Sequence, residues 1–200
     1  QDTGGSECAE LLASIMRDVG LDVRLIPVQG GRPIIFGELR SDPAGKTILF
    51  YNHYDVQPPD PFEEWKSDPF KTEVREGKVY ARGVADDKGD IVARIEAIRT
   101  LRKLGAKIPV NLKFIVEGEE EVGSPHLEAF VKQNSELVKA DGCLWEGGGR
   151  DVSGRPELSF GMKGILYVEL TVKTAETDQH SAWAPIVSNP AWRLAWALGT

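Results

Sequence analysis

The chain alternates between short apolar segments and segments with helical spacing, and this alternation limits the possible folds more than any other feature. The segment TILFY at 47–51 is almost wholly apolar, which is typical of a strand covered on both faces. NLKFIV at 111–116 is a second such strand, and between the two, residues 88–104 carry apolar side chains on one helical face. We therefore predict an α/β fold with a mixed, mostly parallel sheet between helices.

The flanking segments fit the same fold. Helical spacing predicts helices over 7–19 and 124–139, the second with Ser124 as N-cap. Further strands are predicted within 22–28, 32–39, 77–83 and 142–147.

The pattern changes after Gly164. Apolar and polar residues alternate over 165–174, which predicts a strand of an antiparallel sheet with one exposed face. A helix follows at 190–198, with Asn189 as N-cap and Pro190 at its first position. We predict one domain over residues 1–164 and the beginning of a second, α+β domain over 165–200, because the second stretch is too short for its own core.

Composition excludes several classes of partner. The net charge of the 200 residues is -7, which argues against nucleic acid, since phosphate binding needs clustered Lys and Arg. No apolar run approaches the ~20 residues that span a bilayer, so no membrane partner is expected. Cys8 and Cys143 are too few and too far apart for a disulfide framework. A reducing, cytoplasmic setting is the prediction.

Acidic residues and a histidine follow several of the predicted strands. These residues are His53, Asp55, Asp86, Asp87, Glu119, Glu120, Glu121 and Glu146. Each alone has an ordinary interpretation: a surface His and Asp, a helix cap, or a solvated acidic run. Ligand groups, however, gather at the carboxyl ends of strands in such sheets. Carboxylates with imidazole and no Cys suit Zn²⁺, Mn²⁺ or Co²⁺, and Asp55 is placed to accept the other ring N–H of a metal-bound His53.

Four motifs in order carry a family resemblance over essentially the whole chain. HYDVQP, ARGVADDKGD, EGEEEVGS and LWEGG…SFGMKG resemble the M20 family of dinuclear zinc peptidases. HYDVQP and ADDKGD are most similar to its dipeptidase and carnosinase branch. The resemblance implies a zinc exopeptidase-like catalytic domain, followed here by the start of a lid and dimerisation domain.

The resemblance also implies roles for individual residues. Two zinc ions per complete active site, or Mn²⁺ or Co²⁺, would be held by His53, Asp86, Glu121 and Glu146, with Asp86 bridging both ions. Asp55 would orient His53, and Glu120 would be the general base. His180 would reach across a homodimer formed through the lid domain. A cis peptide is implied between Asp86 and Asp87, and Glu119 is interpreted as solvent-facing.

The implied activity is hydrolysis of peptide or amide bonds in small substrates, of dipeptidase or carboxypeptidase type, by a water activated between two zinc ions. Two alternatives stay open: an N-acyl amino acid deacylase or desuccinylase on the same scaffold, and a chain that binds metal without catalysis. The second zinc of the family needs another, distant His. Besides His53 and His180 the chain has only His126, interpreted as a surface residue. We therefore expect the N-terminal part of a larger enzyme.

Overall fold

The computed structural model describes residues 4–42 and 45–199 and divides into two compact units, Gln1–Leu158 and Ser159–Thr200. The strands all lie in the first unit: β1 (Asp22–Ile26), β2 (Ile34–Leu39), β3 (Thr47–His53), β4 (Glu73–Arg75), β5 (Lys78–Tyr80), β6 (Asn111–Glu117), β7 (Gly142–Leu144), β8 (Gly149–Arg150) and β9 (Pro156–Glu157). Five of them form the main sheet in the order β1-β2-β6-β3-β7. The pairs β4-β5 and β8-β9 are separate antiparallel hairpins.

Four strands of the main sheet run in one direction. β3 is parallel to β6 and to β7, while β2 is antiparallel to both β1 and β6. Only β2 therefore opposes the others, which confirms the mixed, mostly parallel sheet. The register places His53 opposite Glu117, so β3 and β6 end side by side.

Helices cover both faces of the sheet. They are α1 (Gly5–Asp18), α2 (Gly89–Lys103), α3 (Leu127–Gln133) and α4 (Ser135–Val138). Met16 of α1 and Ile95 of α2 pack with Ile35 of β2 in one core cluster. Phe36, the next residue along β2, packs with Phe130 of α3 in a second cluster. Successive side chains of a strand point to opposite faces, so one apolar strand supplies both cores.

Two details of the prediction for the helix over 124–139 were wrong. The helix is divided at Asn134, whose side-chain amide donates to the carbonyl of Phe130 at 2.9 Å. Ser124 is not its N-cap: the helix begins at Leu127, and Ser124 has a positive φ of 49°. Its hydroxyl instead donates to Glu117 at 2.8 Å, so a partner on β6 competes with capping.

The second unit holds a 3₁₀ turn at Ser181–Trp183 and helix α5 (Pro190–Gly199). Asn189 accepts the amide of Ala191 at 2.9 Å, as predicted for the N-cap. The strand predicted over 165–174 was wrong: these residues are irregular, because no segment among those described pairs with them. The boundary predicted near Gly164 stays a prediction. Within the described ranges, no helix has the length and apolar character needed to cross a membrane.

Candidate metal centre

His53 is the buried last residue of β3 and the centre of the acidic cluster. Its Nδ1 lies 3.2 Å from Oδ1 of Asp55, and its Nε2 lies 2.9 Å from Oδ1 of Asp86. Burial lowers the pKa of His53, but the hydrogen bonds with Asp55 and Asp86 and the charge of Glu146 raise it, with a net value of about 10. The surroundings of the ring therefore favour positive charge.

Asp55 connects the histidine to the glutamate run. Its Oδ1 accepts the backbone amide of Glu120 at 3.2 Å, and its Oδ2 accepts that of Glu121 at 3.0 Å. Burial raises the pKa of Asp55, yet the hydrogen bonds from His53 and Glu121 outweigh burial, and the pKa is lowered. Asp55 is thus held as a carboxylate that fixes both the imidazole and the loop after β6.

The adjacent aspartates have different surroundings. They lie in the segment Val84–Lys88, where the backbone at Asp86 is not helical (φ -136°, ψ 98°), and the peptide between them is cis, as the resemblance implies. The side chain of Asp86 is 72% exposed where it meets His53. Asp87 is buried, and its Oδ2 accepts the side-chain amide of Asn52 at 2.6 Å and the backbone amide of His53 at 3.1 Å. Asp87 is therefore a candidate site residue, although the sequence motifs alone did not assign it to metal.

Three glutamates approach from two loops. Nε2 of His53 lies 3.6 Å from Oε2 of Glu146 and 4.0 Å from Oε2 of Glu120. Glu121 is held by Gln57, whose backbone and side-chain amides donate to its two carboxylate oxygens at 3.2 and 2.9 Å. Gln57 was missed by the sequence argument, although it lies in HYDVQP, because no charge or spacing distinguishes it.

The structure brings together two ligand sets that share His53: His53 with Asp86 and Glu121, and His53 with Asp87 and Glu146. In each set the ligand atoms lie within 4.8 Å of one another. All four predicted metal ligands therefore converge, and Asp87 joins them.

The cluster nevertheless fits a divalent cation. Oε2 of Glu146 and Oδ1 of Asp87 are buried without a hydrogen-bond partner among the described residues. Burial raises the pKa of Glu146 to about 7 and also raises those of Asp87 and Glu120. Buried carboxylate oxygens without a donor are costly, and a cation satisfies them. Carboxylates with one imidazole are hard-to-borderline ligands that suit zinc, manganese or cobalt.

Glu119, the first glutamate of the run, does not face solvent, and that interpretation was wrong. Its side chain is 16% exposed, and its Oε2 lies 2.7 Å from Nδ1 of His126. A Cβ on Gly31 would come within 2.6 Å of the same oxygen. The missing side chain at Gly31 gives the pair its space, a relation that sequence spacing does not reveal.

His180 lies in the second unit, where its Nδ1 accepts the backbone amide of Ala182 at 3.1 Å. This contact holds the ring at the start of the 3₁₀ turn. The role that the resemblance implies for His180 stays a prediction.

Comparison with known proteins agrees with the motifs. Residues 49–198 match Peptidase family M20/M25/M40, and the chain belongs to this family. The chain is 38% identical over 177 residues to Cys-Gly metallodipeptidase dug1 of Schizosaccharomyces pombe, covering 82% of the chain and 35% of that protein. It is 38% identical over 178 residues to human Beta-Ala-His dipeptidase, covering 84% and 34%. The predicted similarity to the dipeptidase and carnosinase branch of the family is thereby confirmed.

A solved structure is similar over nearly the whole chain. The M20 family metallo-carboxypeptidase Sso-CP2 from Sulfolobus solfataricus has a TM-score of 0.89 and 41% identity, covering 98% of this chain and 45% of that one. The fold class predicted from the alternation of strands and helices is confirmed. The chain spans about a third of the length of the curated relatives it matches.

Proposed function

We propose that the protein carrying this chain is a metal-dependent peptidase that hydrolyses peptide bonds in small substrates. The supporting observation is the placement of one buried imidazole within 4.0 Å of carboxylates from three separate segments, Asp86, Glu120 and Glu146. The relatives bear dipeptidase and carboxypeptidase names, which favours a peptidase over a deacylase. Small peptides are the proposed substrates.

The proposed ligands of two zinc ions are His53, Asp86, Glu121 and Glu146. Zinc bound there would lower the pKa of a water and polarise the scissile carbonyl. Asp55 keeps Nε2 of His53 available by accepting the Nδ1 proton, and Gln57 orients the carboxylate of Glu121.

Glu120 is the proposed general base. Its backbone amide donates to Asp55, and this hydrogen bond fixes the backbone from which the Glu120 side chain extends toward His53. Burial, together with the charges of Glu121, Asp55 and Asp86, raises its pKa, and His53 only partly opposes this. A carboxylate of raised pKa takes a proton from water more readily and can pass it to the leaving amine.

We also propose a cytoplasmic location and a homodimeric assembly. Cys8 and Cys143 are both free thiols, as expected in a reducing cytoplasm. We propose a homodimer in which His180 of one subunit serves the active site of its partner, as the family resemblance implies.

Glu120→Gln in the intact protein tests the proposal. The variant should keep its zinc content and lose ~10²–10⁴ in kcat, the usual effect of removing a general base. Dipeptides and N-acyl amino acids are assayed side by side. Glu128→Gln is the matched control, because Glu128 is an exposed helical residue paired with Lys132. Near-normal kcat in Glu120→Gln would exclude Glu120 as the base, and preferred turnover of N-acyl amino acids would exclude the peptidase.

A further inference from the structure

Arg94 of α2 joins two strands of the main sheet through one guanidinium. Its Nη1 donates to the carbonyl of Tyr51 at 3.0 Å and to Oδ1 of Asn52 at 2.5 Å. Its Nη2 donates to the carbonyl of Trp145 at 2.5 Å. Tyr51 and Asn52 belong to β3, whereas Trp145 directly follows β7.

These contacts occur where the pairing of β3 with β7 stops. The last matched pair of that ladder is Phe50 with Leu144. Tyr51 and Trp145 are the next residue on each side, and Arg94 donates to both of their carbonyls. The guanidinium thus holds the two segments together one residue beyond the last backbone pair.

Both ends of this connection lead to the proposed metal ligands. The side-chain amide of Asn52 donates to Asp87, which also accepts the backbone amide of His53. Trp145 immediately precedes Glu146, and its ring stacks on Tyr51 with centroids 3.8 Å apart. Trp145, the residue before Glu146, is therefore held twice: Arg94 donates to its carbonyl, and the ring of Tyr51 stacks on its side chain.

We infer that Arg94 is a positioning residue that fixes Glu146 relative to His53. It does so by donating hydrogen bonds to the carbonyls of both Trp145 and Tyr51. This inference rests on the proposed metal site. β7 ends at Leu144, so the Trp145 carbonyl lies beyond the backbone ladder, and among the described contacts it is the guanidinium of Arg94 that holds it. Arg94 reaches its three acceptors through two nitrogens of one planar guanidinium, whereas Lys has a single ammonium nitrogen, so Lys is not an equivalent substitute.

Arg94→Lys in the intact protein tests the inference, with Arg94→Gln as a second variant. Zinc affinity is measured by competition with a chelator, and the geometry of the site by the visible absorption of the Co²⁺-loaded protein. Loss of an outer contact to a metal ligand usually costs about 10–100-fold in affinity, and we expect a loss in that range with an altered Co²⁺ spectrum.

Arg102→Lys is the matched control on the same helix. Arg102 donates to the carbonyl of Val19 at 2.6 Å and so ties α2 to the end of α1. Its replacement should lower the melting temperature of the metal-free protein and leave zinc affinity and the Co²⁺ spectrum unchanged. A merely structural Arg94 would behave in the same way.

The outcomes separate the two proposals. If the wild-type protein binds no zinc and hydrolyses no peptide, the proposed function fails. If the wild type binds zinc and both Arg94 variants bind it equally well with the same Co²⁺ spectrum, the positioning role is overturned. If neither Arg94 variant folds while Arg102→Lys does, Arg94 is a folding residue, and the inference is overturned as well.

Discussion

At the scale of single residues, the surroundings of a side chain decide its role more than its type does. Asp86 and Asp87 are chemically identical neighbours, and one of them could have capped α2. Among the described residues, no side-chain cap bond is formed at the start of that helix. Asp87 instead bonds the backbone of His53, while Asp86 faces the ring. The helix-cap interpretation of this pair is therefore wrong.

Asp55→Asn is expected to damage the metal site without removing a side chain. Oδ1 of Asp55 faces the His53 ring and the amide of Glu120, and Oδ2 faces the amide of Glu121. In either orientation the new NH₂ group meets an N–H donor or reverses the tautomer of His53. A reversed tautomer protonates Nε2, the atom that points to Asp86. We expect zinc affinity and kcat/KM to fall about 10–100-fold, measured by metal titration and peptide hydrolysis.

The control for this substitution is Asp151→Asn. Asp151 also accepts two backbone amides, those of Ser153 and Arg155, but in the loop between β8 and β9. It should leave zinc affinity unchanged. Equal zinc affinity in wild type and Asp55→Asn would show that Asp55 does not set the tautomer.

Residues that act through sequence neighbours could be predicted, and those that act through distant contacts could not. His53 and Asp55 are two apart, and the structure places them in contact as spacing suggests. Glu119 was misjudged because its partner His126 and the open space at Gly31 come from different segments. The role of Arg94 could not be predicted, because its position in the α2 helical pattern gives no indication of the distant carbonyls to which it donates.

At the scale of elements, the apolar runs predicted the main sheet and helices α1, α2 and α5. Their type follows from periodicity, which depends only on local sequence. The predictions that failed concern strands, whose formation depends on a pairing segment. The β4 strand exists only as the partner of β5, and the strand expected over 165–174 has no partner among the described residues. A strand is defined by pairing, so an alternating pattern alone is not sufficient.

The buried end of β6 provides a test of one such partner-dependent contact. Oε1 of Glu117 accepts the hydroxyls of Tyr51 at 2.5 Å and of Ser124 at 2.8 Å. Tyr51→Phe or Ser124→Ala should each destabilise this region by about 1–3 kcal/mol, because a buried acceptor loses a donor. Hydrogen exchange of the β3–β6 amides measures the change. Tyr80→Phe, on the β4–β5 hairpin, is the matched control.

The double variant makes this test stricter. With both hydroxyls removed, the same oxygen of Glu117 loses both donors, so the two effects should differ from simple addition by at least ~0.5 kcal/mol. No change in the exchange of the ladder amides would show that the carboxylate is not stabilised by these two hydroxyls, and strict additivity would show that the two hydroxyls act independently.

At the scale of the whole molecule, the direction of the strands explains why distant motifs meet. β3, β6 and β7 run the same way, so the residues after them share one edge of the sheet. His53, the 119–121 run and Glu146 come together there although they are spread over 94 positions of the sequence, from 53 to 146 inclusive. This convergence could be predicted from the fold class.

Mixing two inactive variants tests whether His180 acts across a dimer. Glu120→Gln lacks the proposed base, and His180→Ala lacks the proposed partner group, so each intact homodimer should be nearly inactive. In a mixed dimer, one active site receives Glu120 from one subunit and His180 from the other. Random exchange of equal amounts should restore about a quarter of the wild-type activity, since half of the dimers are mixed and each has one complete site.

Mixing Glu120→Gln with Asp55→Asn is the control, because both residues lie in the same unit and no mixed site regains both. Subunit exchange is verified by mass spectrometry of the native dimers. If His180 serves its own subunit, every site in the mixed dimer lacks one group, and no activity returns. Recovery in the first mixture and not in the second would therefore assign His180 to the partner's site, and a monomeric protein with full activity would contradict the arrangement altogether.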